Sequence, residues 1–455
     1  MIKLGMKIVT LIVVIAVSFY VAIVKYRGTK DLLNPGRLNV LVLSFCSLRT
    51  DVLSLFNERG RELTPNIEKF FSPGAYLLEN AINPNPWTSL FHYTDRGLFR
   101  EKFNRLGYEV LGYQTKGYTR IPPRTRGAAD EKLYAPSLQS FRDDVLRRRT
   151  GPFMAIAHIT YMHYPHIDRV NGGWDFFLSE NERRRLNSYL KDPLRFGVKL
   201  PLLLALTGDV EWAAKNKKTA QLYRREADPK LLLGLLNNRE LIDDWKASEG
   251  FAEDVVILRK IYEGNVRSVD GFVKEALDLW GDRELQKNTV VILTGDHGEM
   301  NMDHDELTHA TALYESALRF PVLIRFPGQR GGIVRRSEQL QLDTVAYLLE
   351  QIMLGRADAG DLGRLLIQRR QRDLILRDCK NTLRGLRQDN KWKYIVRVAD
   401  GERMLFDLEK DPAEKVNLAS QMPDRVNDME RLYWVNYESF SGLPNRHCVP
   451  GMPAE

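Results

Sequence analysis

NTVVILTGDHGE, residues 288–299, is the stretch around which the rest of the chain can be organised. Its first part, TVVILTG (289–295), is an unbroken apolar and β-branched run, the pattern of a strand covered on both faces, as central parallel strands are. It runs directly into Asp296, His297, Gly298 and Glu299. A carboxylate and an imidazole therefore leave the strand side by side, and Gly298 lets the backbone turn away. In open α/β sheets, functional groups gather at the carboxyl ends of the strands. An adjacent Asp and His at such an end can both reach one divalent cation; the plainer alternative is a strand-terminating turn closed by an Asx hydrogen bond.

Working outward, NVLVLSF (39–45) is a second fully apolar run, and it leads into Cys46, Ser47, Leu48 and Arg49. Between the two, Leu258, Ile261, Tyr262, Val266, Val269, Val273, Leu277 and Trp280 recur at steps of three and four, which predicts an amphipathic helix over 258–280. YEVLGYQT (108–115), FMAIAHIT (153–160) and FPVLIRF (320–326) read as further strands, LDTVAYLLEQIM (342–353) as a helix, and KWKYIVRV (391–398) as a strand paired with RMLFDL (403–408). From Trp174 to Phe251 the composition shifts to Leu, Lys, Arg and Glu, which predicts a helical insertion over 174–251. Its LPLLLAL run suits either a buried helix or a face touching lipid. The alternation of strands and helices is that of an α/β sandwich built on a large mixed sheet.

The 455 residues are 44% hydrophobic and 28% charged, which excludes a disordered chain or a disulfide mini-scaffold. The net charge of +8 is spread in short groups, such as Arg147–Arg149 and Arg183–Arg185, interleaved with acids. No module of basic and aromatic residues accompanies it, so no nucleic-acid partner is expected. Cys46, Cys379 and Cys448 fit neither a disulfide framework nor zinc knuckles. Ile8 to Val24 carries no charge and is bounded by Lys7, Lys25 and Arg27, so residues 1–30 are expected to form a single-pass membrane anchor. The rival reading, a cleaved signal peptide, meets bulky Tyr20, Val21, Ile23 and Val24 where small residues belong. The flanking charges do not set the orientation. Of eight histidines, seven fall in three places, namely His92; His158, His163 and His166; and His297, His304 and His309, which predicts convergence on one pocket.

Several blocks, in order, resemble the sulfatases and their relatives in the alkaline-phosphatase superfamily. NVLVLSFCSLRTDVL (39–53) looks like the family's opening strand, NPWTSLFHY (85–93) like its nucleophile segment, and HITYMHYPH (158–166) like its histidine-bearing loop. YEGNVRSVDGFVKEALDLW (262–280) followed by NTVVILTGDHGE is the nearest likeness. ALRFPVLIRFPG (317–328) continues it, and LFDLEKDPAEKVNLA (405–419) is similar to the C-terminal signature.

The resemblance implies an alkaline-phosphatase/sulfatase-like α/β domain over 38–425. It would have a mainly parallel sheet between helices, a smaller C-terminal strand subdomain over 380–425, and a tail over 426–455. It further implies a hydrolase or transferase acting on sulfate or phosphate esters through one divalent metal, zinc, manganese, calcium or magnesium. Carried over position by position, Asp296 and His297 match metal ligands and Thr88 matches the nucleophile. His92 falls beside the nucleophile, and His163, His166 or His309 would contact the oxyanion or leaving group. With an N-terminal anchor, relatives usually keep the domain outside the cytoplasm, which makes lipid-linked or envelope glycans attractive substrates.

This chain departs from the pattern in two places. The strand-one ligand is an Asp in the family and Cys46 here, with Ser47 beside it. A thiolate is a zinc ligand and a poor partner for calcium or magnesium, and a Cys at a strand end is also a small core residue. The nucleophile segment reads Thr88, Ser89, Leu90, Phe91, His92, with Thr88 where the family's sulfatases have the Cys or Ser matured to formylglycine. It lacks the usual Pro and Ser after that first residue and has TDRG in place of the later Thr-Gly, so formylglycine maturation is not expected. Two readings follow: a membrane-anchored ester hydrolase or transferase using Thr88, and a catalytically degenerate relative that binds a ligand or partner without turnover.

Overall fold

The computed structural model describes residues 37–57, 63–86, 103–114, 138–149, 151–167, 174–193, 195–209, 229–378 and 380–440. The anchor expected over 1–30 lies outside them. Among the described residues no helix is long and apolar enough to cross a membrane.

Seven strands form the main sheet: β1 (Asn39–Phe45), β2 (Gly74–Ile82), β3 (Glu109–Gln114), β4 (Phe153–Ile159), β5 (Thr289–Gly295), β6 (Val322–Arg325) and β7 (Gly332–Gln341), in the spatial order β3-β4-β1-β5-β6-β2-β7. Only β6 runs against its neighbours, so the sheet is mixed and mainly parallel, as expected. β1 and β5, the two runs singled out in the sequence, are central and adjacent, and every residue of both is buried. Side chains alternate across a strand. Leu41, Leu43 and Phe45 therefore face the helix Phe251–Leu277, through Tyr262, Val266, Val269 and Val273. Val40 and Val42 face the helix Leu342–Met353, through Val345, Leu348, Leu349 and Ile352.

The long helix begins at Phe251 rather than at 258 and ends at Leu277, with a 3-10 turn over Asp278–Gly281 in place of the expected last turn. Its start is set by Gly250, whose φ of 72° only glycine adopts readily, and the acidic first turn of Glu253 and Asp254 hides the apolar period. Among the described residues from Trp174 to Phe251 the α-helices are Glu180–Lys191, Leu200–Thr207, Pro229–Leu236 and Arg239–Lys246, ahead of the long helix. Leu202 to Leu206 are fully buried among them, with Trp245, Ile257 and Leu258. The LPLLLAL run is thus a core helix, and the lipid-facing alternative is discarded.

A second, antiparallel sheet is formed by β8 (Asp373–Arg377), β9 (Leu383–Gln388), β10 (Trp392–Arg397) and β11 (Arg403–Asp407), in the order β11-β10-β9-β8. The expected β10–β11 pairing is present, with Tyr394 opposite Leu405. The sheet starts at Asp373, earlier than 380, because DLILR supplies its edge. Residues read as the start of a tail at 426 belong instead to the helix Pro423–Phe440, whose Val426, Met429 and Tyr433 pack on this sheet.

Candidate active site

The parallel register sets Phe45 opposite Gly295, so Cys46 and Asp296 leave the sheet together. The Asp296 N–H donates to the Phe45 carbonyl (3.1 Å) and the Cys46 N–H to that of Ile159 (2.9 Å), which ties the ends of β1, β5 and β4 into one rim. On β4, His158 lies opposite Ser44, and its Nδ1 is 3.2 Å from Ser44 Oγ. As a result, one ligand atom from each of Cys46, His158 and Asp296 lies within 4.8 Å of the others, and all three residues are buried.

The rim is braced from several sides. Ser47 has a φ of 62°, and its N–H donates to Asp296 Oδ1 (3.2 Å), which also accepts the His297 N–H (2.8 Å). The Tyr262 hydroxyl, from the long helix, donates to the Ser47 carbonyl (2.8 Å) and accepts the Arg49 N–H (3.0 Å). The Asn83 amide, at the exit of β2, donates to the Asp296 carbonyl (2.8 Å). At Gly298 a Cβ would lie 2.0 Å from the Ser316 carbonyl oxygen, so no larger residue fits the turn that carries His297.

Three imidazoles gather beyond this rim. His297 and His309 stack with ring centroids 4.0 Å apart, and His163 lies 5.3 Å from His309 and 6.4 Å from His297. Each Nδ1 faces an oxygen: Gly298 carbonyl for His297 (2.8 Å), Glu299 Oε2 for His309 (2.9 Å), Tyr164 carbonyl for His163 (2.7 Å). An Nδ1 so placed donates its proton, which makes Nε2 the ring's acceptor in all three. His297 Nε2 lies 3.7 Å from Cys46 Sγ. Glu299 is wholly enclosed: Oε1 accepts the N–H groups of Met300 and His309 (3.0 and 2.7 Å), while Oε2 takes the His309 ring and the Ser47 hydroxyl (2.9 and 3.4 Å).

Burial dominates the electrostatics. It lowers His309 to about 3, helped by His163, and lowers His297 against the pull of Asp296. It raises Glu299 despite the surrounding histidines, and raises the Cys46 thiol well above its usual range, with Asp296 adding to the effect. The imidazoles of His297 and His309 are therefore neutral at neutral pH, free to act as ligand or base.

Of the residues singled out in the sequence, Cys46, Asp296, His297, His163 and His309 come together. Thr88 and His92 lie outside the described residues. His166 faces Asn301 and the long helix rather than the rim, and His304 stacks on Tyr314. His158 and Glu299 were not foreseen in these roles. A histidine inside an otherwise apolar buried strand was the available signal for the first.

A divalent cation is what the family resemblance implies at this place, and the residues fit one. Asp296 Oδ2 is buried with no hydrogen-bond partner among the described residues, an expensive state for a carboxylate oxygen that a bound cation would relieve.

Comparison with known proteins points the same way. The Sulfatase family model matches residues 82–352. Arylsulfatase K of Danio rerio is 29% identical over 215 residues, covering 43% of this chain and 40% of that protein. Arylsulfatase K of Gallus gallus is 25% identical over 215 residues, covering 42% and 39%. The chain thus spans about two fifths of the length of the relatives it matches. Among solved structures, BT4656, in complex with its substrate D-glucosamine-2-N,6-O-disulfate, is 14% identical with a TM-score of 0.57, covering 90% of this chain and 99% of that one. BT1596, a 2-O GAG sulfatase, is 16% identical with a TM-score of 0.53, covering 89% and 92%. At such identities the likeness is one of fold.

Proposed function

We propose that this chain, which belongs to the sulfatase family, hydrolyses a sulfate or phosphate ester, or transfers its sulfuryl or phosphoryl group, at the rim formed by β1, β4 and β5. The observation that carries the reading is the convergence of Cys46, Asp296, His297, His163 and His309 at the carboxyl ends of adjacent strands. A cation held by Cys46, His158 and Asp296 would supply positive charge for the non-bridging oxygens of the ester. His309 and His163 present Nε2 as acceptors, suited to taking the proton of an attacking hydroxyl or, once protonated, giving it to the leaving oxygen. Glu299 holds the His309 ring in the tautomer that this needs.

Thr88 is the proposed nucleophile. The support is its distance along the chain: Asn83 touches Asp296, and five residues span at most about 18 Å. Sulfated glycans are favoured substrates because, among proteins of the same fold, BT4656 binds D-glucosamine-2-N,6-O-disulfate as its substrate and BT1596 is a 2-O GAG sulfatase. We place residues 1–30 as an anchor that holds the domain at a membrane face outside the cytoplasm, on the apolar run Ile8 to Val24. Carbonate-resistant membrane association, lost on deletion of 1–30, is the expected result.

The test is turnover of aryl sulfate, aryl phosphate and phosphonate esters by metal-supplemented protein, with Thr88→Ala as control. Turnover that falls by at least about 10²-fold in Thr88→Ala is expected; turnover unchanged in that variant ends the nucleophile assignment. The replacement of a strand-one Asp by Cys46 favours a second reading, a binding protein without turnover. Protein that binds sulfated glycans yet leaves all three esters intact would establish it.

A further inference from the structure

We infer that the cluster of Cys46, His158 and Asp296 is a thiophilic metal site, one that takes zinc-class cations in preference to calcium or magnesium. The inference rests on the site reading above and deepens it, but it does not need turnover.

An oxygen count excludes the hard ions first. Calcium takes six to eight oxygen ligands and magnesium a near-ideal octahedron of oxygens. Among the described residues, the carboxylates around the rim cannot provide them. Asp296 Oδ1 already accepts two backbone N–H groups, from Ser47 and His297. Both oxygens of Glu299 are engaged by Met300, His309 and Ser47. Among the described residues at the rim, the carboxylate oxygen without a partner is Asp296 Oδ2.

The remaining donors are soft or borderline. Cys46 offers sulfur and His158 a ring nitrogen, both buried and both within 4.8 Å of the Asp296 oxygen. Sulfur, imidazole and one carboxylate form a tetrahedral zinc set, with ligand bonds of about 2.0–2.3 Å. A fourth donor is at hand. His297 Nε2 lies 3.7 Å from Cys46 Sγ and 3.6 Å from Asp296 Oδ1, close to the roughly 3.5 Å that separates neighbouring ligands of such a tetrahedron. These donors sit on or directly after three hydrogen-bonded strands, so the geometry is set by the sheet rather than by a mobile loop. Both rings are also held from behind, by Ser44 Oγ at 3.2 Å from His158 Nδ1 and by the Gly298 carbonyl, which accepts from His297 Nδ1 at 2.8 Å.

The experiment uses the full-length chain stripped of metal by chelation. Equilibrium dialysis with zinc, calcium and magnesium should give one zinc retained per chain and undisplaced by a large excess of either hard ion. Cobalt(II) should produce a sulfur-to-cobalt charge-transfer band in the near ultraviolet. Cys46→Ser should abolish that band. His158→Ala should keep it while weakening zinc by more than the ~10–100-fold that loss of an outer-shell partner costs. Cys46→Asp, which restores a hard donor, should bind calcium or manganese more tightly than the parent chain. Displacement of zinc by comparable calcium, bound cobalt without the band, or no metal retained would each overturn the inference. The parent protein alone decides these three, so a variant that fails to fold does not rescue it. Zinc-loaded protein inert toward every ester would sink the hydrolase reading and leave this one standing. Calcium-supported turnover without the cobalt band would do the reverse.

Discussion

His166 lies in the same segment as His163 but serves the fold. It is fully buried, with Nε2 3.2 Å from Asn301 Oδ1, no partner for Nδ1 among the described residues, and the Tyr164 and Tyr262 rings on either side. Burial lowers its pKa to about 4 from the ordinary 6.5. Between those values the unfolded chain binds a proton that the folded chain refuses, so stability falls as pH drops from 6.5 toward 4. The shift is worth on the order of 3 kcal/mol over that window. Urea unfolding midpoints at pH 7 and pH 4.5 are expected to differ, and His166→Gln, which removes the titration, should shrink the difference. At this scale the sequence disclosed the strand-exit residues, because an Asp-His pair or a Cys after an apolar run is visible without coordinates. His158 was counted among the converging histidines, but its place beside Cys46 and Asp296 was not disclosed, since that depends on β4 pairing with β1, a contact between segments more than a hundred residues apart.

Among the elements, the helical insertion is pinned by one charge. Asp254, fully buried in the first turn of the long helix, bonds to Lys199 (2.7 Å), Arg185 (3.0 Å), the Tyr189 hydroxyl (3.0 Å) and the Trp245 indole (3.1 Å). These partners come from three other segments of the insertion. Asp254→Ala leaves Lys199, itself 4% exposed, without its anion, and a loss of about 3–5 kcal/mol is expected. Faster amide exchange over 180–207 would show where the loss falls; exchange unchanged there would mean that apolar packing alone seats these helices. The central strands were legible because both of their faces are apolar. β2 and β7 were not, since β7 is an edge strand with exposed Val334 and Arg335 and shows neither an unbroken apolar run nor clean alternation. β8 and β9 escaped for a related reason: LRGLRQ carries charges that find partners only in the folded molecule.

For the whole molecule, the two sheets are joined through a buried ion cluster. Glu315 pairs with Arg387 (3.0 Å) and Lys393 (2.7 Å), and Lys393, with no exposed surface, also pairs with Glu414 (2.7 Å) and donates to the Leu313 carbonyl (3.1 Å). Arg387 and Lys393 belong to the small sheet, while Glu315 lies on the segment that returns from the rim to β6. Lys393→Met strands Glu414 in a dry interface and leaves Glu315 with Arg387 alone, and a destabilisation of about 3–5 kcal/mol is expected, read as a lowered denaturation midpoint with early proteolysis between 355 and 380. A single unchanged transition would show that the cluster does not join the halves.

His309 sits six residues before Glu315, so the turn that presents its ring is moored to the small sheet through this ion cluster. Any shortened product ending before Lys393 would therefore lose more than a peripheral layer. A product cut before Arg387 would keep Glu315 without either of the two cations that hold it to the small sheet, six residues after the rim histidine His309. Trimmed versions made for crystallisation or for assays should accordingly keep the C-terminal strands, however remote from the chemistry they look on a linear map.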